Sequence, residues 1–162
     1  MTNFFTRLLP TELALAGKVY EVSYVDSLSG SETTYFQIKT STKPMMLIHL
    51  EISSSAEPLQ ITLLETPTMT NGTTEVNSYN MKRSSANAAT TLFYSNPTYT
   101  SGGAPVNIHI VTAGKGGGAI SAESGVWVLK TSSNYLVKLE QLSNQATVTS
   151  YNIVFSEDYA QF

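Results

Sequence analysis

Apolar and polar residues alternate one by one along much of this 162-residue chain, and short turn sequences separate the alternating runs. The last third holds three such runs, at residues 126–130, 135–139 and 147–155, which follow a glycine-rich loop at residues 114–118. Successive side chains of a strand point to opposite faces, so an alternation with period two predicts strands that bury one face and leave the other in water. The chain is therefore expected to form antiparallel sheets.

Similar runs occur upstream and set the expected fold class. They lie at residues 19–25, 33–38, 45–53, 59–65, 91–95 and 106–112. The first two flank a turn-rich linker and predict a hairpin. The third predicts one face formed by Met46, Ile48, Leu50 and Ile52, with His49 and Glu51 on the other. About eight to ten short strands at this spacing predict an all-β antiparallel β-sandwich, either of jelly-roll type or another Greek-key sandwich.

Two segments depart from the strand pattern. Residues 1–17 form an N-terminal arm ahead of a domain at residues 18–162, and Pro10 and Gly17 interrupt its apolar sequence. The apolar residues of the arm are Phe4, Phe5, Leu8, Leu9, Leu13 and Leu15. The arm packs either as an edge strand on its own domain or against a neighbouring subunit. Residues 66–90 form a long excursion that is predicted to hold one irregular strand.

The composition excludes several function classes. Only 13% of residues are charged, against about 25% in globular domains, and the net charge of -3 includes no basic stripe, so nucleic-acid binding is not expected. The chain has no cysteine, which excludes disulfides and cysteine zinc sites. The first ten residues lack the features of a signal peptide, and no membrane segment is expected. A charge-poor surface rich in Ser and Thr suits packing against other subunits, since few charges need desolvation.

The candidate chemical motifs each fail on spacing. His49 and His109 lie mid-strand, and the HxH pair of cupin-type metal sites is missing, so both histidines are interpreted as structural. The loop at residues 114–118 lacks the GxxxxGK spacing of a phosphate loop and a following helix, and is interpreted as a connector. No serine lies in a GxSxG motif. The sequence therefore predicts no enzyme and no cofactor or metal.

Two further features suit binding. Lys82 and Arg83 form the only adjacent basic pair outside any predicted strand, and they are either solvated or contact a carboxylate of another subunit. Nine tyrosines are spread along the chain, and tyrosine is favoured at protein interfaces and lines sugar-binding surfaces. An alternative function is therefore a carbohydrate- or receptor-binding module. Its candidate contacts are Tyr79, Tyr94, Tyr99 and Trp127.

Three stretches carry a family likeness: residues 80–85 with 94–98, the glycine-rich loop before residues 126–130, and residues 134–139 before the terminal strand. In residues 19–157 the chain resembles head decoration (cement) proteins of tailed bacteriophages, which are small jelly-roll proteins. Such proteins often show a W-x-L-K strand, a turn and a Y-L-x-x-L strand, although this chain has Thr131 where relatives often have proline.

The resemblance implies a structural protein of the virion, made in the host cytoplasm and bound to the outer capsid surface. It implies the major capsid protein as partner and a homo-oligomer, a trimer or a dimer, that bridges neighbouring capsid subunits and stabilises the shell. The arm and the excursion are the expected attachment regions. The candidate capsid or subunit contacts are Phe4, Phe5, Leu8, Leu9, Lys82 and Arg83. For the alternative function, the resemblance implies a carbohydrate- or receptor-binding module of a phage fibre.

Overall fold

A computed structural model describes residues 11–55, 58–111 and 127–158 of the chain. These residues contain a short helix, α1, at residues 11–15, and thirteen strands. The strands are β1 (Val19–Leu28), β2 (Thr33–Lys39), β3 (Met45–Ser54), β4 (Leu59–Glu65), β5 (Thr68–Thr70), β6 (Thr74–Val76), β7 (Tyr79–Asn80), β8 (Leu92–Ser95), β9 (Thr98–Ser101), β10 (Ala104–Val111), β11 (Trp127–Leu129), β12 (Asn134–Gln141) and β13 (Thr147–Glu157). The prediction of an all-β fold is confirmed.

The strands form two large antiparallel sheets in a jelly-roll arrangement. The first sheet has the order β11-β3-β13-β1-β7, and the second has the order β10-β4-β12-β2-β8-β6. Eight strands, β1 to β4 and β10 to β13, form the two facing four-stranded units of a jelly roll. The predicted hairpin of residues 19–25 and 33–38 is wrong, because β1 pairs with β13 and β7 whereas β2 pairs with β12 and β8. The turn between β1 and β2 carries the chain from one sheet to the other.

A group of aromatic rings lies in the core between the sheets. The ring of Phe36 on β2 lies 5.0 Å from Tyr151 on β13 and 6.2 Å from Phe93 on β8, and Phe93 lies 5.1 Å from Phe155. All four side chains are buried. Truncation of such a ring to alanine typically costs about 3–5 kcal/mol. The core therefore joins both sheets and includes Phe93 of β8, the strand that follows the excursion.

A β-bulge in β3 changes which of its residues face the core. The register between β3 and β13 skips Ile48, and one unpaired residue inverts the alternation of side chains beyond it. The core-facing residues of β3 are Met45, Leu47, Leu50 and Ile52. The predicted shared face is therefore wrong for Met46 and Ile48, which contribute to a separate cluster on the outside of the first sheet.

Helix α1 covers that second cluster. Leu13 is fully buried in a group with Val19 and Met46. Gly17, with a φ of 71°, ends the helix in a Schellman motif, because the amide of Lys18 donates to the carbonyl of Leu13 over 2.9 Å. In its described part, residues 11–17, the arm thus packs on its own domain, but as a helix and not as the predicted edge strand. Residues 1–10 lie outside the described residues.

The excursion extends both sheets past the jelly-roll strands. Strand β7 pairs with β1, strand β8 pairs with β2, and β6 pairs with β8. Strands β5 and β9 form a separate two-stranded sheet. The prediction of one irregular strand in residues 66–90 is wrong, because this range holds β5, β6 and β7. Their runs are too short to show an alternation.

A buried glutamine attaches the start of the excursion to the second sheet. Gln37, with no exposed surface, donates from Nε2 to the Oδ1 atoms of Asn71 (2.9 Å) and Asn134 (3.0 Å), and its Oε1 accepts from the amide of Gly72 (3.1 Å). Gly72 has no room for a side chain, since an added Cβ would lie 2.1 Å from the carbonyl oxygen of Ser95. The backbone at Gly72 therefore lies in close contact with the backbone of β8 in the second sheet.

Candidate interaction surfaces

The structure describes two of the six predicted contact residues. Lys82 and Arg83 follow β7 and are exposed, in the irregular segment at residues 81–91, which we call the basic loop. The other four, Phe4, Phe5, Leu8 and Leu9, lie outside the described residues, so their role stays a prediction.

Side-chain amides fix the first half of the basic loop. Nδ2 of Asn80 donates to the carbonyls of Gly17 (2.9 Å) and Asn87 (3.1 Å), while its Oδ1 accepts from the amide of Lys82 (2.9 Å). The amide of Ser85 donates to the carbonyl of Lys82 over 2.8 Å. These bonds close the loop and tie it to the turn after α1.

A buried carboxylate fixes the end of the basic loop. Glu157, at the end of β13, is only 2% exposed. Its Oε2 accepts from the amide (2.8 Å) and the hydroxyl (3.0 Å) of Thr90, and its Oε1 accepts from the amide of Thr91. Hydrogen bonds to a carboxylate are roughly twice as strong as neutral ones. The loop is thus exposed over most of its length, with Thr91 buried, and it is held at both ends.

Arg83 stacks over an exposed tyrosine. Its Cζ atom lies 5.9 Å from the ring centroid of Tyr79, which is 54% exposed. Such a cation–π contact contributes roughly 0.5–1 kcal/mol at an exposed site. Among the described residues, neither Arg83 nor Lys82 has a carboxylate within ion-pair distance. The guanidinium is oriented by the ring and retains its hydrogen-bond donors.

Strand β10 forms an apolar edge of the second sheet. In the described part of the chain it pairs only with β4. Val106, Ile108 and Ile110 are 41%, 58% and 53% exposed, and β10 contains no Lys, Arg, Asp or Glu. Exposed edge strands are usually protected by charges, whereas β10 has only Pro105 and a bulge near its start. Within the described ranges, no strand pairs with the outer edge of β10, and the exposed side chains of Val106, Ile108 and Ile110 make this an apolar edge.

A shallow depression of about 380 Å³ lies on the outer face of the first sheet. Hydroxyl and amide groups of Ser23, Ser53, Ser150 and Asn152 line it together with the carboxylate of Glu51. Nε2 of His49 lies 3.2 Å from Oε2 of Glu51, so these two side chains share the outer face as predicted. The lining also includes Tyr24, Val25 and Tyr151, so the depression is open and of mixed polarity. Among the described residues, no serine that lines it is hydrogen-bonded to His49 or Glu51.

The described residues gather no chemical centre. No group of three or more His, Cys, Asp or Glu side chains among them is placed to hold a metal ion. The side chain of His109 and the loop at residues 114–118 lie outside the described part of the structure, so the interpretations of both stay predictions.

The candidate glycan contacts do not converge. Tyr79 on β7 and Trp127 on β11 lie on opposite edges of the first sheet, and Trp127 packs partly against the core. Tyr94 belongs to the second sheet, while Tyr99 lies on β9 with its ring 5.5 Å from that of Tyr35. The four aromatic residues therefore do not form a single sugar-binding site.

One polar network joins the two sheets at an end of the sandwich. The hydroxyl of Tyr135 donates to Oε2 of Glu65 over 3.1 Å and accepts from the amide of Lys130 over 2.8 Å, and the Lys130 ammonium pairs with Glu65. The ammonium lowers the pKa of Glu65, desolvation opposes this, and the Tyr135 hydroxyl adds to the lowering. Burial raises the pKa of Tyr135 above its ordinary value. We interpret the network as structural, because the buried Tyr135 side chain is hydrogen-bonded both to Glu65 on β4 and to Lys130, which follows β11.

The fold defines the protein as an antiparallel β-sandwich of jelly-roll type, an architecture found in viral capsid domains, lectins and cupins. No protein-family model and no curated protein sequence matches the chain. A solved structure titled Desmodium yellow mottle tymovirus is similar over 86% of this chain and 86% of its own, with 12% identity and a TM-score of 0.23. That score is far below the value expected of a shared fold, so the similarity carries no information on function. Within the described residues, no helix is long and apolar enough to cross a membrane.

Proposed function

We propose that the protein is a structural component of a virion that binds the outer surface of the capsid and stabilises the shell by bridging neighbouring capsid subunits. In this proposal the chain is made in the host cytoplasm, its partner is the major capsid protein, and it acts as a homo-oligomer, a dimer or a trimer. It has no catalytic activity.

The observation that carries the proposal is the neutral, apolar edge of β10. Two isoleucines that are more than half exposed on an edge strand without charged residues are a liability for an isolated protein in solution. They are useful when another chain covers them, because strand addition supplies backbone hydrogen bonds and buries the aliphatic side chains. The edge therefore favours a protein whose role is attachment to other polypeptides.

Repetition explains how a modest contact can stabilise a shell. The three exposed aliphatic side chains of β10 offer less apolar area than a stable interface of about 1,200–2,000 Å² needs. Copies that are linked to one another on a symmetric lattice bind with an avidity far above that of one contact. A low content of charged side chains keeps the desolvation cost of each contact small.

Co-sedimentation with expanded capsids that lack decoration tests the proposal. We expect saturable binding with a fixed number of copies per capsid. Substitution I108K places a charge on the apolar edge and should weaken binding about tenfold or more, since a desolvated charge costs over 1.4 kcal/mol. The matched control V25K changes an aliphatic residue that is 62% exposed on a strand paired along its length with β13, and it should bind as the wild type does. A wild-type chain that never sediments with such capsids would refute the proposed function.

A further inference from the structure

The geometry of the basic loop points to a binding site for a carboxylate side chain of a partner protein, with Arg83 as the main ligand and Tyr79 as its support. This inference deepens the proposed function, on which it rests for the identity of the partner. It concerns a different surface from the apolar edge of β10.

The first argument is that the loop is already ordered for binding. An exposed segment without strand or helix would ordinarily be among the more mobile parts of a protein. Here Asn80 closes one end and the buried carboxylate of Glu157 holds the other. Because ordering a loop on binding costs free energy, a loop that is fixed in advance binds more tightly.

The second argument is the state of the Arg83 guanidinium. The Tyr79 ring holds it from one side at 5.9 Å, while no carboxylate of the described residues lies within ion-pair distance. A guanidinium presents its N–H groups as a planar fork that matches the two oxygens of a carboxylate. Arginine and tyrosine are also the residue types most enriched among strong contacts at interfaces.

The third argument is the adjacent cleft. A depression of about 440 Å³ lies beside the stack and is lined in part by Tyr20, Tyr79, Arg83 and Asn87. Its size suits a few side chains of an extended segment. The aromatic and amide groups next to the cation would contact the neighbouring backbone of that segment.

The surroundings favour a single carboxylate over a polyanion. Lys82 is the one other cation adjacent in the loop, and Glu21 lies directly opposite Tyr79 in the pairing of β1 with β7. Glu21 repels any anionic ligand, but the repulsion grows with the charge of the ligand, so it disfavours a phosphate chain or nucleic acid most, and such a ligand would also need several cations. An Asp or Glu side chain on a polypeptide requires only the one fork.

The probe for the experiment is a synthetic dodecapeptide of Gly, Ser and Glu, compared with the same peptide carrying Gln in place of Glu. Amide chemical shifts of the full chain are followed during titration. We expect the Glu peptide to shift amides of residues 79–89 in a saturable manner and the Gln peptide to leave them unchanged. Equal shifts from both peptides, or shifts spread over the whole surface, would overturn the inference.

Variants separate geometry from charge. R83K keeps the charge but loses the fork, so it should weaken binding of the Glu peptide about fivefold to tenfold. Y79A removes the ring that orients the guanidinium and should weaken binding about twofold to fivefold. The matched control K39Q removes one positive charge from β2 and should leave binding unchanged. Wild-type affinity in R83K would overturn the site, as would tighter binding of tripolyphosphate at the same amides.

The two proposals fail separately. A chain that binds the Glu peptide but never sediments with capsids refutes the proposed function alone. A chain that sediments with capsids but does not respond to the Glu peptide refutes the carboxylate site alone.

Discussion

The attachment of the excursion through Gln37 leads to a quantitative prediction. Substitution Q37M keeps the approximate volume of this fully buried side chain but removes all three of its hydrogen bonds. A neutral hydrogen bond contributes about 1 kcal/mol. In the variant, the exposed Oδ1 atom of Asn71 can accept a hydrogen bond from water instead, whereas the backbone amide of Gly72 is only partly accessible to water. We therefore expect a loss of about 2–3 kcal/mol in the free energy of unfolding.

Urea denaturation measures this loss, with fluorescence of the single tryptophan, Trp127, as the probe. For a slope of about 2 kcal/mol per molar urea, the midpoint should fall by roughly 1 M or slightly more. The matched control is Q60M, since Gln60 is half-buried on β4 and donates one long bond of 3.3 Å to Glu140. It should change stability by less than about 0.5 kcal/mol. Equal midpoints for Q37M and Q60M would refute the reasoning.

Three further predictions concern the turn at Gly72, the anchor of the basic loop and the polar network. G72A should lower the free energy of unfolding, measured by urea denaturation, by more than about 2 kcal/mol, because the added Cβ has no space. G102A should lower it by only about 1 kcal/mol, because its Cβ meets no atom within 4 Å although φ is 71°. A larger loss in G102A than in G72A would contradict this reasoning. E157Q should speed amide hydrogen exchange in residues 84–91 at least about tenfold, since a neutral amide is a weaker acceptor than the carboxylate. Unchanged exchange rates in E157Q would show that other groups hold the loop. The pKa of Glu65 is lowered in the folded chain, so its contribution is present above the unfolded pKa and is lost as pH falls through the folded pKa. In denaturation between about pH 5 and pH 3, E65Q should lose less stability than the wild type, while the exposed control E75Q should follow the wild type.

The alternation of apolar residues was sufficient to predict the fold class, because each long strand buries one face. It could not predict the bulge at Ile48, where pairing with β13 skips a residue and inverts the face. It also placed residues 19–25 and 33–38 in a hairpin, since a turn sequence between two strands looks the same whether they pair or cross between sheets.

The candidate surfaces were only partly predictable. Lys82 and Arg83 stand out as a basic pair, but two of the residues that anchor their loop, Gly17 and Glu157, are distant in sequence and carry no local signal. The run with Ile108 and Ile110 was predicted as a strand, although nothing in its pattern distinguishes an edge from a central position. Edge or centre is decided by the topology of the whole chain.

The position of β13 has a consequence for how the protein is made. The last strand of the sandwich lies at the centre of the first sheet, between β1 and β3, which do not pair with each other. In a nascent chain that has not yet reached residue 147, the pair of β11 with β3 and the pair of β1 with β7 are therefore not joined into one sheet, and the pairing of Val19 with Ser156 connects positions far apart in sequence. Such non-local pairing is slow and comes late. Closure of the first sheet thus waits until β13 has been synthesised, and a chain that stops before residue 147 leaves apolar faces of β1 and β3 uncovered and open to proteases.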